Sequence, residues 1–265
     1  MEKIFERLEK VRKNSPLVHH ITNYVTATDC ADITKNFGAS PVMADAKEEV
    51  QEMVALADAL VINIGTINTF TFESMKLAGV AANKKGIPVV LDVCGAGSTT
   101  FRNEKCRELM KTFRIEVIKG NISEIATIAG FNIKTKGVDA SAVEVDKYNL
   151  AKKLAEELSA VVVITGAEDV VSNGQDIYSI KNGTNIMGRI VGTGCMAASV
   201  IGTFCAVDED YAMAAASALV CYEIAGENAE KTSDGPGTFK TGLLDKISSL
   251  SEISVNKMKK IEKIG

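Results

Sequence analysis

The segment Met187-Gly-Arg-Ile-Val-Gly-Thr-Gly-Cys195 runs directly into the apolar stretch Met196–Phe204, so a glycine-rich turn opens onto a helix with a thiol at its mouth. Glycines at 192 and 194 can take backbone angles that side-chained residues avoid, which lets successive N–H groups point into one hollow. The helix that starts there adds free N–H donors and the positive end of its dipole. Such a hollow, framed by Gly192, Thr193 and Gly194, suits a phosphate or the charge that develops as a phosphoryl group moves. Cys195 beside it is placed where a thiolate is favoured. Many helices begin this way, so the rest of the chain has to decide the reading.

Other residues with chemical potential stand where apolar runs end. Asp92 follows Ile87-Pro-Val-Val-Leu and precedes Gly95 and Gly97. An acid there can hold a hydrated cation or simply shape a turn. Lys119-Gly-Asn-Ile-Ser-Glu124 closes the next run. Asn121 and Glu124 have capping-box spacing, and they can equally point toward Asp92 and share Mg²⁺ through water. Thr165-Gly166 offers a hydroxyl and a backbone edge to a nucleotide, or is a plain turn. His19 and His20 are the only histidines; if extended they point to opposite sides, so at most one faces a pocket. A hydrogen-bonded structural role competes with a catalytic base there. Asn23 follows them, and Met43 reads as core or as a thioether contact for a flat ring. Asp234-Gly-Pro-Gly-Thr238 begins a helix or is a solvated loop. Gly95-Ala-Gly97 is not a dinucleotide fingerprint, because Thr100 stands at its third position, and no Walker A loop occurs.

The elements that must carry these residues alternate. Strands are expected at Ala59–Ile64, Ile87–Asp92, Glu116–Ile118 and Ala160–Thr165, with helices at Thr69–Lys85, Glu104–Thr112 and Lys147–Leu158. Continuous apolar strands between helices imply an α/β fold, a mostly parallel sheet covered on both faces, with ligands at the strand ends. Asp169–Ser179 reads as a hairpin turned at Asn173-Gly174. Helices follow at Cys195–Val207, Tyr211–Glu230 and Thr238–Ser249, then a basic-amphipathic turn or two. Without repeats or Pro/Ser-rich linkers, residues 1–265 read as one domain.

Composition narrows the classes. The chain has 265 residues, 46% of them hydrophobic, and a net charge of −4, which gives no electrostatic reason to expect nucleic acid or an anionic membrane. No apolar run approaches the ~18 residues of a membrane span. The N-terminus is a charged amphipathic helix without a signal peptide's apolar centre, and the six cysteines contain no Cys-x-x-Cys pair. A cytoplasmic protein without structural zinc or a disulfide framework is expected.

Eight fragments in order carry a resemblance: His19-His-Ile-Thr-Asn23, Gly38-Ala-Ser-Pro-Val-Met43-Ala, Ala46-Lys-Glu-Glu49, Leu91-Asp92 with Gly95-Ala-Gly97, Gly120-Asn-x-Ser-Glu124, Ile164-Thr-Gly166, Gly192-Thr-Gly-Cys195 and Gly235-Pro-Gly237. In these the chain resembles the hydroxyethylthiazole kinase family of the ribokinase-like superfamily. The resemblance implies a central, mostly parallel sheet sandwiched by helices and a homotrimer with active sites at subunit interfaces. It implies transfer of the γ-phosphoryl group of ATP, with Mg²⁺, to the primary alcohol of 4-methyl-5-(2-hydroxyethyl)thiazole in thiamine biosynthesis or salvage. Met43, Gly192 and Asn23 would then bind the thiazole. Lys119, Thr165 and Asn121 would bind ATP, Asp92 and Glu124 would serve the metal, and Thr193, Gly194 and Cys195 would form the catalytic turn. Cys195 takes the position where most ribokinase-like enzymes carry an Asp base. Lys119 stands in place of the usual Arg, His20 of Asn, Val93-Cys94 of Pro-Val, and Val191 of Thr. Two other classes stay open: a thiol acyl transferase using Cys195 with a histidine, and a non-catalytic nucleotide sensor. Within the kinases, a pyrimidine or pyridoxal-type alcohol is the alternative substrate.

Overall fold

The computed structural model describes residues 3–130 and 146–264. Among them, one sheet contains β1 (Leu17–Ile21), β2 (Ser40–Met43), β3 (Ala59–Asn63), β4 (Val89–Asp92), β5 (Val117–Asn121), β6 (Val161–Thr165), β7 (Asp169–Ser172), β8 (Ile177–Ile180) and β9 (Ile261–Lys263). Their order is β2-β1-β3-β4-β5-β6-β7-β8-β9. Pairing is parallel from β2 through β6 and antiparallel from β6 through β9. The helices are α1 (Ile4–Asn14), α2 (Ala27–Phe37), α3 (Val50–Leu56), α4 (Thr69–Lys85), α5 (Thr100–Thr112), α6 (Ile122–Ile128), α7 (Lys147–Leu158), α8 (Thr193–Cys205), α9 (Tyr211–Glu230), α10 (Pro236–Ser248) and α11 (Glu252–Met258).

The strands separate two cores by simple alternation. Val61, Val90, Val117 and Val163 face a core built with α1, α2, α8, α9 and α10. Leu60, Ile62, Leu91, Ile118 and Ile164 face the core of α3, α4, α5 and α7. Burial on both faces explains why these strands read as continuous apolar runs. One contact fixes the helix that matters most. A Cβ at Gly202 would collide with Val61 Cγ2, so α8 lies against β3 at a separation only glycine permits.

The expected helices at 69–85, 147–158 and 211–230 are observed with those bounds, and the Asn173-Gly174 hairpin joins β7 to β8. Other elements differ. The helix expected from Glu104 begins at Thr100, because the Thr99 side chain accepts the Arg102 N–H (3.2 Å) and starts it ahead of the apolar pattern. The turn ahead of α8 is a 3-10 segment at Asn185–Arg189, and α8 starts at Thr193 and ends at Cys205. Two edge-side strands, β1 and β2, are not anticipated by the apolar pattern; they lie in the histidine stretch and Ser40–Met43. The expected terminal turns are α11 followed by β9, whose three residues pair with β8 and are too few to show a period. No helix among the described residues is long and apolar enough to cross a membrane.

Candidate active site

Sheet register places three polar side chains in one row. Asn63 pairs with Asp92 across β3–β4, and Asp92 with Lys119 across β4–β5. All three are buried. Asn63 Nδ2 donates to Asp92 Oδ2 at 2.6 Å, and Lys119 Nζ lies 3.4 Å from Asp92 Oδ1. Burial opposes the Lys119 ammonium, but Asp92 and Glu124 outweigh it and raise its pKa, so it stays charged. Burial likewise lifts the Asp92 carboxyl above the usual carboxylate range against the pull of Lys119.

The start of α8 faces this row. Gly192, its N-cap, has φ +96°, and a Cβ there would lie 2.5 Å from Thr26 Cγ2. Thr193, Gly194 and Cys195 supply first-turn N–H groups, which have no acceptor within their own helix. Gly194 departs from expectation: its φ is not in the left-handed region, and what it provides is room, since a Cβ would stand 3.1 Å from Lys119 Nζ. The ammonium therefore sits beside the helix mouth. Thr193 Oγ1 is occupied, donating to Met187 O (3.1 Å), so Thr193 offers its backbone to the hollow.

Asn23 holds the thiol. Its Nδ2 donates to Cys195 Sγ at 3.2 Å and to Asn63 Oδ1 at 3.1 Å, while its Oδ1 accepts from Thr26 N and Oγ1. A hydrogen bond from Cys94, the charge of Lys119 and contacts from Thr26 and Asn63 outweigh burial and bring Cys195 down to about 5. These partners favour its thiolate form. The same partnership drives the Cys94 thiol far up.

Beside Gly194 opens a cavity of about 410 Å³, whose walls include Thr165, Asp169, Met187, Thr193, Tyr222 and Glu223. It adjoins the helix mouth at Thr193 and Gly194.

The sequence matches the model of the hydroxyethylthiazole kinase family over residues 8–253. It is 51% identical over 257 residues to a hydroxyethylthiazole kinase of Methanosarcina mazei, covering 97% of this chain and 98% of that one. The chain belongs to the hydroxyethylthiazole kinase family. It superposes with a TM-score of 0.93 on the Pyrococcus horikoshii hydroxyethylthiazole kinase, at 39% identity and full coverage of both chains. A ribokinase-like protein of Enterococcus faecalis, 13% identical with a TM-score of 0.65 and 94% of each chain covered, shares the fold. The fold is ribokinase-like, as the sequence implies.

Within this hydroxyethylthiazole kinase family member, the structure brings Asn23, Asp92, Lys119, Gly192, Thr193, Gly194 and Cys195 together, with Glu124 near enough to act on the charges of Asp92 and Lys119. Asn121 and Glu124 form a capping box on α6: Asn121 Oδ1 accepts from Glu124 N (2.9 Å), and Glu124 Oε2 from Asn121 N (2.8 Å). Glu124 Oε1 accepts the Gly95 N–H at 2.7 Å, so both of its oxygens already bind backbone. No group of three or more His, Cys, Asp or Glu among the described residues could hold a metal ion. Thr165 Oγ1 reaches Gly120 O (3.4 Å) and lines the cavity. Met43 is exposed at the end of edge strand β2. Both histidines are structural: His19 Nε2 meets Ala44 O (2.7 Å) and His20 Nδ1 meets Val18 O (3.0 Å). Neither ring hydrogen-bonds Cys195, which deprives a thiol acyl transferase of its base. The Asp234–Thr238 segment starts α10 and stands outside the cluster. Sequence reasoning misses Asn63 and Cys94. Asn63 closes an apolar strand ahead of Gly65 as Asp92 does ahead of Gly95, and that parallel is the available signal.

Proposed function

We propose that the protein transfers the γ-phosphoryl group of ATP to the primary alcohol of 4-methyl-5-(2-hydroxyethyl)thiazole, a step of thiamine biosynthesis or salvage. The observation that carries the reading is the buried Lys119 ammonium set against the first turn of α8, with the Cys195 thiolate in that same turn just beyond the Gly192 N-cap. Residues 1–265 act as one ribokinase-like kinase domain in the cytoplasm.

Phosphoryl transfer passes through a loose transition state, so alignment and charge neutralisation supply most of the rate. The Thr193, Gly194 and Cys195 N–H groups receive the phosphoryl oxygens, and Lys119 adds a point charge beside them. The Cys195 thiolate, aimed by Asn23, takes the proton of the alcohol as its oxygen attacks. A thiolate held near pKa 5 is a weak base, so this help is modest within the roughly 10²–10⁴-fold span of general-base catalysis. Mg²⁺ keeps several waters and needs only one or two carboxylates plus the phosphates; Asp92 and Glu124 would hold it through those waters, because the oxygens of both already accept protein donors. When bound, it neutralises phosphate charge.

Exposed apolar residues support a homotrimer with its sites at subunit interfaces. Tyr24, Val25 and Val191 flank the Thr26–Gly192 contact and are 80%, 58% and 72% exposed, and Met43 is exposed beside β1. A neighbouring subunit's Met43 then reaches the thiazole that Gly192 and Asn23 contact.

ADP release with Mg²⁺-ATP, measured across hydroxyethylthiazole, hydroxymethylpyrimidine, pyridoxal and ribose, tests the reading. Turnover of the thiazole alcohol with its phosphate ester seen by mass spectrometry is expected. Turnover confined to another alcohol reassigns the pocket, and ATP binding with no turnover favours a sensor.

A further inference from the structure

The cavity beside Gly194 also presents two carboxyl groups that the chemistry above does not use. Asp169 opens β7, is buried, and accepts the Gly166 N–H on Oδ1 at 2.8 Å. Glu223 lies on α9, only 7% exposed, and its buried Oε2 receives no N–H or O–H donor among the described residues. The two carboxyls lie within hydrogen-bonding reach of each other, and burial raises the pKa of both. Neighbouring charges are already engaged. Glu227 accepts from Asn182 Nδ2, Gly183 N and Lys260 Nζ, and Lys181 on the cavity wall reaches Glu262 Oε2 at 3.2 Å.

A buried acceptor without a donor is costly unless a ligand supplies one. Two carboxyl groups side by side offer no cation to a phosphate, so the complement is a neutral donor. Its place along a nucleotide follows from α9. Tyr222, the residue before Glu223, donates its hydroxyl to Thr193 O at 3.1 Å, at the rim of the phosphate hollow. The part of a nucleotide adjoining its phosphates is the sugar, whose hydroxyls can donate to the unpartnered Glu223 Oε2. Met187, Ala197 and Leu219 leave an apolar wall for the base.

We infer that Glu223, backed by Asp169, hydrogen-bonds the ribose hydroxyls of the phosphate donor and sets a requirement for a ribonucleotide. The inference rests on the nucleotide-dependent reading above. Its test is calorimetric binding of ATP, 2′-deoxy-ATP and 3′-deoxy-ATP to the full chain and to Glu223→Gln and Glu223→Leu. The wild type should bind at least one deoxy analogue about tenfold more weakly than ATP. Glu223→Gln should keep that discrimination, because its amide oxygen still accepts while its NH₂ meets Asp169. Glu223→Leu should bind all three alike. Equal binding of the three by the wild type, or undiminished discrimination in Glu223→Leu, overturns the inference alone. Binding of no nucleotide by the wild type overturns the proposed function and the inference with it. Should Glu223→Leu not fold, difference infrared spectra decide: ATP must shift a carboxyl band that Glu223→Gln lacks, and an unmoved band rejects the assignment.

Discussion

Cys195 and His20 are both titratable and buried, and opposite surroundings give them opposite fates. Cys94, Lys119 and Asn23 favour the charged thiolate of Cys195, whereas for His20 the hydrogen bond to Val18 O falls short of the burial cost, which drives its pKa down to about 4. For Cys195, replacement by Asp keeps an anion facing the same donors, so kcat should stay within about tenfold of wild type. Cys195→Ala removes the proton acceptor, and kcat should fall by up to about 10²-fold with little change in the KM for ATP. Steady-state kinetics on folded variants decide this, and equal activity of the two would remove Cys195 from the mechanism. For His20, the unfolded chain takes up a proton below its ordinary value of 6.5 and the folded chain does not until about 4. Stability is therefore intact above 6.5 and declines as pH falls toward 4, by at most about 3 kcal/mol from this residue. His19 contributes with the same sign. Denaturant titrations from pH 7 to 4 should show a shallower decline in His20→Asn than in wild type; parallel curves would mean that His20 ionises freely in the folded protein.

At the scale of elements, α8 is the part that must be placed most closely, because its first turn carries the hollow and its middle rests on β3. Gly202→Ala should lift the helix from Val61, costing roughly 1–3 kcal/mol as overpacking does. Since the far end of α8 moves with it, kcat should drop as well; a lower melting temperature with unchanged kcat would show that the hollow is held independently. This dependence is invisible in the sequence, where Gly202 reads as one more small residue in an apolar helix. The elements themselves are legible where periodicity or turn chemistry is strong, as in α4, α7 and the Asn173-Gly174 hairpin. Short pieces are not: β9 has three residues, and β2 contains Pro41, which argues against a strand unless it lies at an edge. The site is legible at strand ends and at the glycine turn. Asn63 shows only through its parallel with Asp92, and Cys94 and Glu223 do not show at all, because their partners lie on other strands and helices that the sheet register and the packing of α9 bring together.

For the whole molecule, the exposed Tyr24, Val25 and Val191 around the site mouth are the feature that one chain leaves unsatisfied. Sedimentation equilibrium should give a mass three times the 28.2 kDa of the chain. Val25→Asp combined with Val191→Asp should yield monomers with native circular dichroism and little turnover. A wild type that stays monomeric at high concentration would place the thiazole site within one subunit. Oligomer formation would also make thermal stability rise with protein concentration.

The packing of α1 has a consequence for biosynthesis. Its buried Ile4, Leu8 and Val11 share a core with α9, and Arg7 pairs with Asp208 at 3.0 Å. On the ribosome, α1 must wait for its principal partner α9, encoded roughly 200 residues later, about 10–40 s at ordinary elongation rates. Throughout that interval its apolar stripe lacks the cover of α9. A nascent chain stalled before α9 should therefore be captured by holdase chaperones through its N-terminal segment, and one stalled after α10 has emerged should be released.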